Sequence, residues 1–340
     1  NHYKKEFTEQ KKKEVKNEVL MIYGLIEYKE ELLIKTVEDR LKDRVNQAYA
    51  LAMDIYETNK KTKTKDEIKY LIAQSLDNFK FKDHNNYFFI NSNKGQGILF
   101  DNKITLDNYV DIWDLKDLNN QPIIQIQAKI AKEQKEGFTT NSFIKPDSND
   151  GIQYSKISYI KLFEPFDWHI GTGEYIDGLT KKNQEEILNW LNVLKYENSS
   201  YMFLNKIDGN VLIYEGKKVE PKPHPSPEIF NRQLEISKNQ NGDFFKYKYK
   251  KPNSNEEFEK ISFIKKFDEY GWIIGCGVYL DEIEKELQRK EEIFKEHINE
   301  QIISILIIFL FILLAIYFIS KYIGDFIKGT SNNQLSRTLF

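Results

Sequence analysis

The sequence predicts an α+β fold in which a long N-terminal helix is followed by two tandem units with antiparallel sheets and then by a C-terminal transmembrane helix. Three observations support this prediction. Apolar residues recur at helical spacing over residues 11–56, a strand-like phrase occurs twice 104 residues apart, and an uncharged run of 18 residues lies near the C-terminus.

The first element is a long amphipathic helix. Residues 11–56 contain one glycine and no proline, and apolar residues return every three or four positions from Val15 to Ile55, with one break at Lys29 and Glu30. This period is that of an α-helix with one apolar face. Unbroken, such a helix is about 65 to 70 Å long, more than one small domain needs. We therefore assign residues 1–60 to a stalk helix that can span two domains.

A duplicated structural unit follows the helix. Residues 156–177 and 260–281 agree at 12 of 22 positions without a gap, and self-similarity of this kind marks a repeat. Two earlier pairs of aromatic and β-branched runs keep the same order and read as strands: "NYFFINSNKG" (86–95) with "SYMFLNKIDGN" (200–210), and "EGFTTNSFIK" (136–145) with "NGDFFKYKYK" (241–250). We predict one unit over residues 61–180 and a second over 181–282.

The repeated phrase contains a Gly-x-Gly pair. Strand alternation places Gly171, Gly173 and Tyr175 on one face and Trp168, Ile170 and Thr172 on the other. Two glycines on one face allow close approach of a neighbour, and we expect that neighbour to be the long helix. A phosphate-binding loop is disfavoured because the pair lacks a third glycine and a helix directly after it.

The C-terminal region predicts a membrane span. Residues 302–319, "IISILIIFLFILLAIYFI", carry no charge and can cross about 27 Å of hydrocarbon as a helix. Lys321 and Lys328 follow, as expected on a cytoplasmic flank. We predict a linker helix at 283–301, a transmembrane helix at 302–320 and a cytoplasmic stub at 321–340. Residues 1–301 would then be periplasmic or extracellular, and the polar start at Asn1 suggests that a preceding signal anchor has been removed.

These elements together resemble the double Cache domains, the PAS-like extracellular sensors of bacterial chemoreceptors, sensor kinases and diguanylate cyclases. The resemblance rests on the long helix, on the paired phrase "K-I-S-[YF]-I-K…W-x-I-G-x-G-x-Y-[IL]-D", on "YFFI", "DLKDLNNQPII" and "EGFTTNSFIKP", and on the adjacent membrane span. The quoted motifs are similar in sequence to those of the Cache_2 branch. The resemblance implies a membrane-distal first unit that binds a small metabolite, a membrane-proximal second unit and a homodimeric receptor.

Composition disfavours several other classes of protein. The 50 Lys and Arg balance 52 Asp and Glu, which argues against nucleic acid as a partner. The single cysteine, Cys276, excludes an internal disulfide and a multi-cysteine zinc site, and we expect it to be a small core residue. The five histidines, at positions 2, 84, 169, 224 and 297, show no metal-ligand or catalytic spacing. We predict no catalytic set, no metal and no cofactor.

A ligand pocket in the first unit needs aromatic walls and a few polar anchors. The candidate residues are Tyr87, Phe89, Trp113, Phe138, Asn141, Tyr154 and Lys156. A lysine among strand residues is unusual unless its amine reaches solvent or an anion. Lys260 occupies the same place in the second unit, so a structural role for both lysines stays open. Asn141 leaves room where the second unit has Tyr247.

The sequence thus predicts the ligand-binding input region of a transmembrane signalling receptor. The Tyr, Arg-x-Trp-Tyr and Asp pattern associated with amino-acid-sensing Cache domains is not found in this sequence. A small carboxylate is therefore favoured as the ligand, and an amino acid stays possible. A structural or adhesive ectodomain is the alternative, and a periplasmic enzyme is less favoured because a site is missing. The output domain is open among kinase, chemoreceptor and cyclase.

Overall fold

The computed structural model describes residues 2–79, 87–145, 151–194, 200–251, 254 and 256–337. The helices are α1 (His2–Asn59), α2 (Lys65–Asp77), α3 (Ile123–Gln134), α4 (Asp177–Val193), α5 (Pro227–Ile236) and α6 (Leu280–Arg337). The strands are β1 (Phe88–Ser92), β2 (Gln96–Phe100), β3 (Lys103–Ile104), β4 (Val110–Asp111), β5 (Glu136–Ile144), β6 (Gln153–Phe163), β7 (Trp168–Tyr175), β8 (Ser200–Lys206), β9 (Asn210–Tyr214), β10 (Lys217–Pro223), β11 (Asp243–Lys250), β12 (Glu257–Phe267) and β13 (Trp272–Tyr279).

The chain divides into two compact units. One comprises residues 20–195 and 212–221, and the other comprises residues 1–19, 196–211 and 222–340. The strands form two sheets, which we call the first sheet and the second sheet. The first sheet has the order β3-β2-β1-β7-β6-β5, with β4 also paired to β2, and the second has the order β10-β9-β8-β13-β12-β11. Neighbouring strands run antiparallel in both sheets, as in the pairs β1–β7, β5–β6, β6–β7 and β12–β13.

Helices α1 and α2 cover one face of the first sheet. Val37 and Leu41 of α1 are fully buried and pack with Ile157 and Tyr159 of β6. Further along α1, Ala48 and Ala52 pack with Trp168 and Ile170 of β7 and with α2. Because these residues recur at three- and four-residue steps, one stripe of α1 can follow the sheet over several turns.

Helix α2 begins at a capping box. The side chain of Thr64 accepts a hydrogen bond from the backbone N–H of Glu67, and the Glu67 carboxylate accepts one from the backbone N–H of Thr64. This reciprocal arrangement satisfies two backbone donors that a helix start otherwise leaves unpaired. The apolar residues of α2 that face the core are Ile68, Ile72, Ala73 and Leu76.

The two sheets keep the same register at their centres. Lys156 of β6 pairs with Asn141 of β5 and with Tyr175 of β7. In the second sheet, Lys260 of β12 pairs with Tyr247 of β11 and with Tyr279 of β13. The duplication read from the sequence is therefore a duplication of strand pairing as well.

The long helix α6 begins one residue after β13 ends. Residues 280–324 of this helix include the one segment of the described chain that is long and apolar enough to cross a membrane, with a mean hydropathy of 3.3. Its apolar side chains from Ile302 to Ile319 are exposed. The predicted fold class is confirmed: a long N-terminal helix, two antiparallel sheets and a C-terminal apolar helix.

Candidate functional site

The glycines of the repeated phrase lie on the face of the first sheet opposite α1. A Cβ atom on Gly171 would lie 2.4 Å from the ring of Phe89, and one on Gly173 would lie 2.5 Å from Cε of Lys156. Their side-chain neighbours are thus Phe89 and Lys156. The predicted alternation along β7 is correct, but the expectation that these glycines meet the long helix is wrong, because α1 packs on the face that carries Trp168 and Ile170.

The absence of a side chain at Gly173 gives Lys156 room to lie across β7. Lys156 is 3% exposed, and its Nζ donates a hydrogen bond to the hydroxyl of Tyr87 at 3.1 Å. Its ammonium also lies 4.2 Å from the centre of the Tyr87 ring and 5.1 Å from that of Tyr175, distances typical of cation–π contacts. The lysine side chain therefore lies over β7 and beside Tyr87 and does not extend to solvent.

The surroundings of Lys156 hold no opposite charge within the described residues that line its cavity. Burial lowers the pKa of its amine to about 7, since removal of water disfavours the charged form. Burial also raises the pKa of the Tyr87 hydroxyl well above its ordinary value, so this group stays neutral. An amine held in a neutral, ring-lined site is suited to pair with an anion.

A small cavity, partly open to solvent, lies between this face of the first sheet and helix α3. Its free volume is about 30 Å³, roughly the space of one water molecule. An organic anion can therefore enter only if lining side chains move, and the flexible Lys156 is the one best suited to do so. The cavity is lined by Tyr87, Phe89, Asn91, Phe100, Ile123, Ile124, Gln127, Asn141, Phe143, Lys156 and Ser158.

A buried polar cluster lies at the Asn91 side of the cavity. His169 of β7 is fully buried, and its Nδ1 lies 2.9 Å from Oδ1 of Asn93. Its Nε2 lies 3.4 Å from Nδ2 of Asn91 and 3.3 Å from Oε1 of Gln127. Burial lowers the pKa of His169 to about 3, so the imidazole is neutral at physiological pH. The cluster supplies hydrogen-bonding groups without a net charge.

Four of the seven predicted pocket residues line this cavity: Tyr87, Phe89, Asn141 and Lys156. Trp113 does not line it; its side chain packs over Gly95 at the surface and is 37% exposed. Phe138 lies on the opposite face of β5, with its ring 4.6 Å from that of Tyr159. Tyr154 lies beyond the cavity, where Lys145 sits 3.9 Å from the centre of its ring. None of these three residues lines the cavity.

Several residues that line the cavity are not among the seven predicted from the sequence. Asn91 and Phe143 belong to runs that were read as strands, and strand alternation places Phe143 on the same face as Asn141. Gln127 comes from α3, and no strand pattern can locate a helix over a sheet. The alternation signal would have found Phe143 and rejected Phe138, whereas Gln127 required the tertiary structure.

The second sheet repeats the lysine site with one replacement. Lys260 is 5% exposed, and a Cβ atom on Gly277 would lie 2.8 Å from its Cε. Tyr247 lies where Asn141 lies in the first sheet, is 8% exposed, stacks on Phe245 at 4.3 Å and has its hydroxyl 3.1 Å from that of Ser262. The larger tyrosine thus occupies space beside the lysine that the asparagine leaves open.

A larger groove lies at the surface beside α2. It measures about 590 Å³ and is open to solvent. Two of its carboxylates already have local partners, because Asp66 pairs with Lys69 at 2.9 Å and Glu67 caps α2 through Thr64. The smaller cavity is the better candidate for the functional site, because it contains a buried amine and no acidic side chain among the described residues that line it. The groove is lined by Lys63, Asp66, Glu67, Tyr70, Leu71, Leu106, Asp107 and Tyr109.

The remaining sequence predictions concern cysteine and histidine. Cys276 is fully buried, as predicted, and its Sγ lies 2.9 Å from a carboxylate oxygen of Glu18. Among the described residues, no three His, Cys, Asp or Glu side chains are placed to hold one metal ion. His84 lies outside the described residues.

Comparison with known sequences identifies a family model described as dCache_2, a Cache domain, which matches residues 1–284. The methyl-accepting chemotaxis protein McpP of Pseudomonas putida is 26% identical over 114 residues, which cover 32% of this chain and 21% of that protein. The sensor histidine kinase MctS of Rhizobium johnstonii is 26% identical over 106 residues, which cover 29% of this chain and 23% of that protein. The chain therefore spans less than a quarter of the length of these relatives.

Similar solved structures include that of a Cache chemosensory domain, which is described as showing the structural basis for carboxylic acid recognition. It is 20% identical, covers 43% of this chain and 98% of its own, and has a TM-score of 0.38. The sensory domain of the Campylobacter jejuni chemoreceptor Tlp3, solved with isoleucine bound, is 15% identical and covers 83% of this chain and 97% of its own, with a TM-score of 0.29.

Proposed function

The chain belongs to the Cache family of sensor domains, and from that premise we propose that residues 1–301 form the extracytoplasmic input region of a transmembrane signalling receptor that binds a small carboxylate at Lys156. The membrane-distal unit, residues 61–180, would hold the ligand, and the membrane-proximal unit, residues 181–282, would adjoin the membrane. Receptors of this kind would act as homodimers.

The main observation in favour of a carboxylate ligand is the environment of Lys156. Its amine is buried, and its one side-chain hydrogen-bond partner given by the structure is the neutral hydroxyl of Tyr87. A charge taken out of water is costly unless it is paired. A carboxylate of the ligand would supply that pairing through a charge-assisted hydrogen bond, which offsets the desolvation of both groups.

A continuous backbone from the second sheet into the apolar helix supports a role in signalling. Strand β13 ends at Tyr279, and helix α6 begins at Leu280 and includes the candidate membrane span. A shift of this strand would therefore act directly on the helix that enters the membrane. The output would be a chemoreceptor or kinase function supplied by a further part of the receptor, as in the relatives named above.

The test is ligand binding by the 340-residue chain in detergent, measured by thermal shift and titration calorimetry. Acetate, propionate, succinate, glycine and alanine are the probes. A carboxylate at 100 times its dissociation constant should stabilise the folded chain by about 2.7 kcal/mol. The variant Lys156→Met should abolish binding, because it keeps an unbranched side chain only one atom shorter and removes the charge.

Lys260→Met is the matched control, since Lys260 occupies the equivalent place in the second sheet. It should leave carboxylate binding intact. If Lys260→Met abolishes binding and Lys156→Met retains it, the site lies in the second unit and the assignment is wrong. If no probe binds, a structural or adhesive ectodomain is the better account.

A further inference from the structure

The first turn of α6 is joined to the edge strand of the second sheet by an ion pair. Lys251 directly follows β11, and its Nζ donates a hydrogen bond to Asp281 at 2.5 Å and lies 3.3 Å from a carboxylate oxygen of Glu282. Burial lowers the pKa of Lys251, but the hydrogen bond to Asp281 and the charge of Glu282 outweigh burial and raise that pKa above its ordinary value. The lysine is therefore charged where it meets the two carboxylates.

Aromatic side chains surround this lysine at the end of the sheet. Its ammonium lies 4.4 Å from the centre of the Phe258 ring and 5.2 Å from that of Tyr279. The hydroxyl of Tyr279 in turn donates a hydrogen bond to the backbone oxygen of Lys250, the last residue of β11, at 2.6 Å. The side chain of Lys251 is 13% exposed, so water screens the ion pair less than at an open surface. We call the following residues the second clasp: Lys251, Tyr279, Asp281 and Glu282.

The first sheet contains the same arrangement at the start of α4. Lys145, which directly follows β5, pairs with Asp177 at 2.9 Å, and Tyr175 donates a hydrogen bond to the backbone oxygen of Ile144 at 2.6 Å. The residue after Asp177 is a glycine, so this first clasp has one carboxylate where the second clasp has two. Because the arrangement recurs wherever the last strand of a unit leads into the next helix, it indicates a common task, which is to hold that helix to the edge strand.

We propose that the second clasp makes β11 a second attachment point of the membrane helix, so that a relative shift of β11 and β13 tilts α6. The helix follows β13 through the backbone, and the clasp ties its first turn to β11, two places away in the sheet. This inference goes beyond the proposed function, because it requires neither a ligand nor a particular pocket. Its failure would leave the proposed carboxylate site as it stands.

Two attachment points amplify a small movement. Neighbouring strands lie about 4.8 Å apart, so β11 and β13 are separated by about 10 Å, and a relative shift of about 1 Å would tilt a rigid helix by about 6°. Gln301 lies about 32 Å along the helix from Leu280, so it would move by about 3 Å. The side chains of residues 291–301 are exposed, which leaves this part of the helix room to move.

Hydrogen exchange followed by mass spectrometry, with the 340-residue chain in detergent, tests whether the clasp holds the helix. In Lys251→Met the amides of residues 284–288, the first in α6 with partners inside the helix, should exchange about tenfold faster than in the unmodified chain. The amides of β12 and β13 should keep their rates, because α6 retains its backbone link to β13 and the contact of Glu286 with Lys11 of α1 at 3.0 Å. Unchanged exchange at residues 284–288, or equal acceleration throughout the second sheet, would overturn the inference.

Two lysine variants serve as matched controls. Lys246→Met removes a lysine of the same strand that pairs with Glu259 at 2.8 Å in an exposed setting, and it should leave the exchange of residues 284–288 unchanged. Lys145→Met opens the first clasp and should accelerate the first turns of α4 without an effect on α6. Faster exchange at residues 284–288 in Lys246→Met would contradict a specific role of Lys251. Asp281→Asn opens the second clasp from its other side and replaces Lys251→Met if that variant fails to fold.

The tilt itself is measured with spin labels on cysteines introduced at Glu269 and Gln301, since the native cysteine is buried. Glu269 is exposed in the turn between β12 and β13, and Gln301 is exposed near the start of the apolar run. Opening the clasp by Lys251→Met should shift or broaden the distribution of distances between the labels by about 3 Å, whereas Lys246→Met should not. Identical distributions in the unmodified chain and in Lys251→Met would refute the clasp as a determinant of the direction of α6.

Discussion

Replacing Gly173 with alanine should remove ligand binding and lower stability together. The added Cβ would lie 2.4 Å from Oγ of Ser158, 2.5 Å from Cε of Lys156 and 2.9 Å from the carbonyl oxygen of Ile157. Ordinary contacts between carbon atoms are about 3.5 to 4.0 Å. The side chains can rotate away, but the carbonyl belongs to the backbone of β6, so the strand itself must shift by a few tenths of an ångström.

The expected loss of stability is moderate. Overpacking of a buried site typically costs about 1 to 3 kcal/mol, and replacing glycine with alanine recovers about 0.4 to 1 kcal/mol by restricting the unfolded chain. The net loss is therefore about 1 to 2 kcal/mol, which lowers the melting temperature by a few degrees, roughly 2 to 4 °C per kcal/mol at this size. Binding suffers more, because Lys156 must leave its place beside Tyr87.

The matched variant is Gly277→Ala in the second sheet. Its Cβ would lie 2.8 Å from Cε of Lys260 and 3.0 Å from the carbonyl oxygen of Ile261, so a similar loss of stability is expected. Carboxylate binding, measured by calorimetry, should be lost in Gly173→Ala and retained in Gly277→Ala. A Gly173→Ala protein that melts and binds like the parent would refute the close packing of Lys156 against β7.

Three further predictions concern charge and topology. First, Lys156 binds fewer protons in the folded state than in the unfolded state between its folded pKa of about 7 and the ordinary value of 10.5. The free energy of unfolding should therefore rise from about pH 7 to pH 9 while carboxylate affinity falls. In denaturant titrations, Lys156→Met should remove this pH-dependent part of the stability. Equal slopes of the free energy of unfolding against pH in the two proteins would contradict the assignment. Second, Arg40→Ala should destabilise the chain by about 1 to 2 kcal/mol, since the buried Glu174 loses a two-point ion pair with contacts of 2.6 and 3.0 Å. Thermal melts test this, and Lys42→Ala, at an exposed lysine 3.7 Å from Glu136, is a control expected to have little effect. Third, a cysteine introduced at Gln240 should react with an impermeant maleimide in intact cells, whereas one introduced at Ser336 should react only after permeabilisation. Equal labelling of the two positions in intact cells would contradict the proposed topology.

The repeat made the fold predictable from the sequence. Strand alternation and the match between residues 156–177 and 260–281 predicted the succession of strands along the chain in each unit. The structure adds the order of strands within each sheet and shows that Asn141 and Tyr247 pair with equivalent lysines. Helix α1 was predictable because its apolar residues keep one period over many turns. Local patterns of this kind determine elements and faces without reference to distant residues.

The site was only partly predictable, because its walls come from elements far apart in the chain. Lys156 and Asn141 are recognisable as polar residues in strands, whereas Phe138 was predicted as a wall residue although strand alternation places it on the other face of β5. The neighbour of Gly173 was misassigned because alternation says which residues share a face and does not say what covers it. The polar cluster around His169 depends on a helix and two strands, and no spacing in the sequence brings these together.

The alternation along β7 has a mechanical consequence. Glu174 is held by Arg40 of α1, while its two chain neighbours, Gly173 and Tyr175, lie against Lys156. Under the proposed function, a ligand that pulled Lys156 away from these residues would disturb a strand whose next residue, Glu174, is paired with the 58-residue helix α1. The connection between Lys156 and that helix consists of covalent bonds along β7 and the ion pairs of Glu174 with Arg40 and, at 4.0 Å, with Arg44. Because no loop lies between the contacts of Lys156 and Glu174, a displacement of β7 at the proposed ligand site would act on α1 directly.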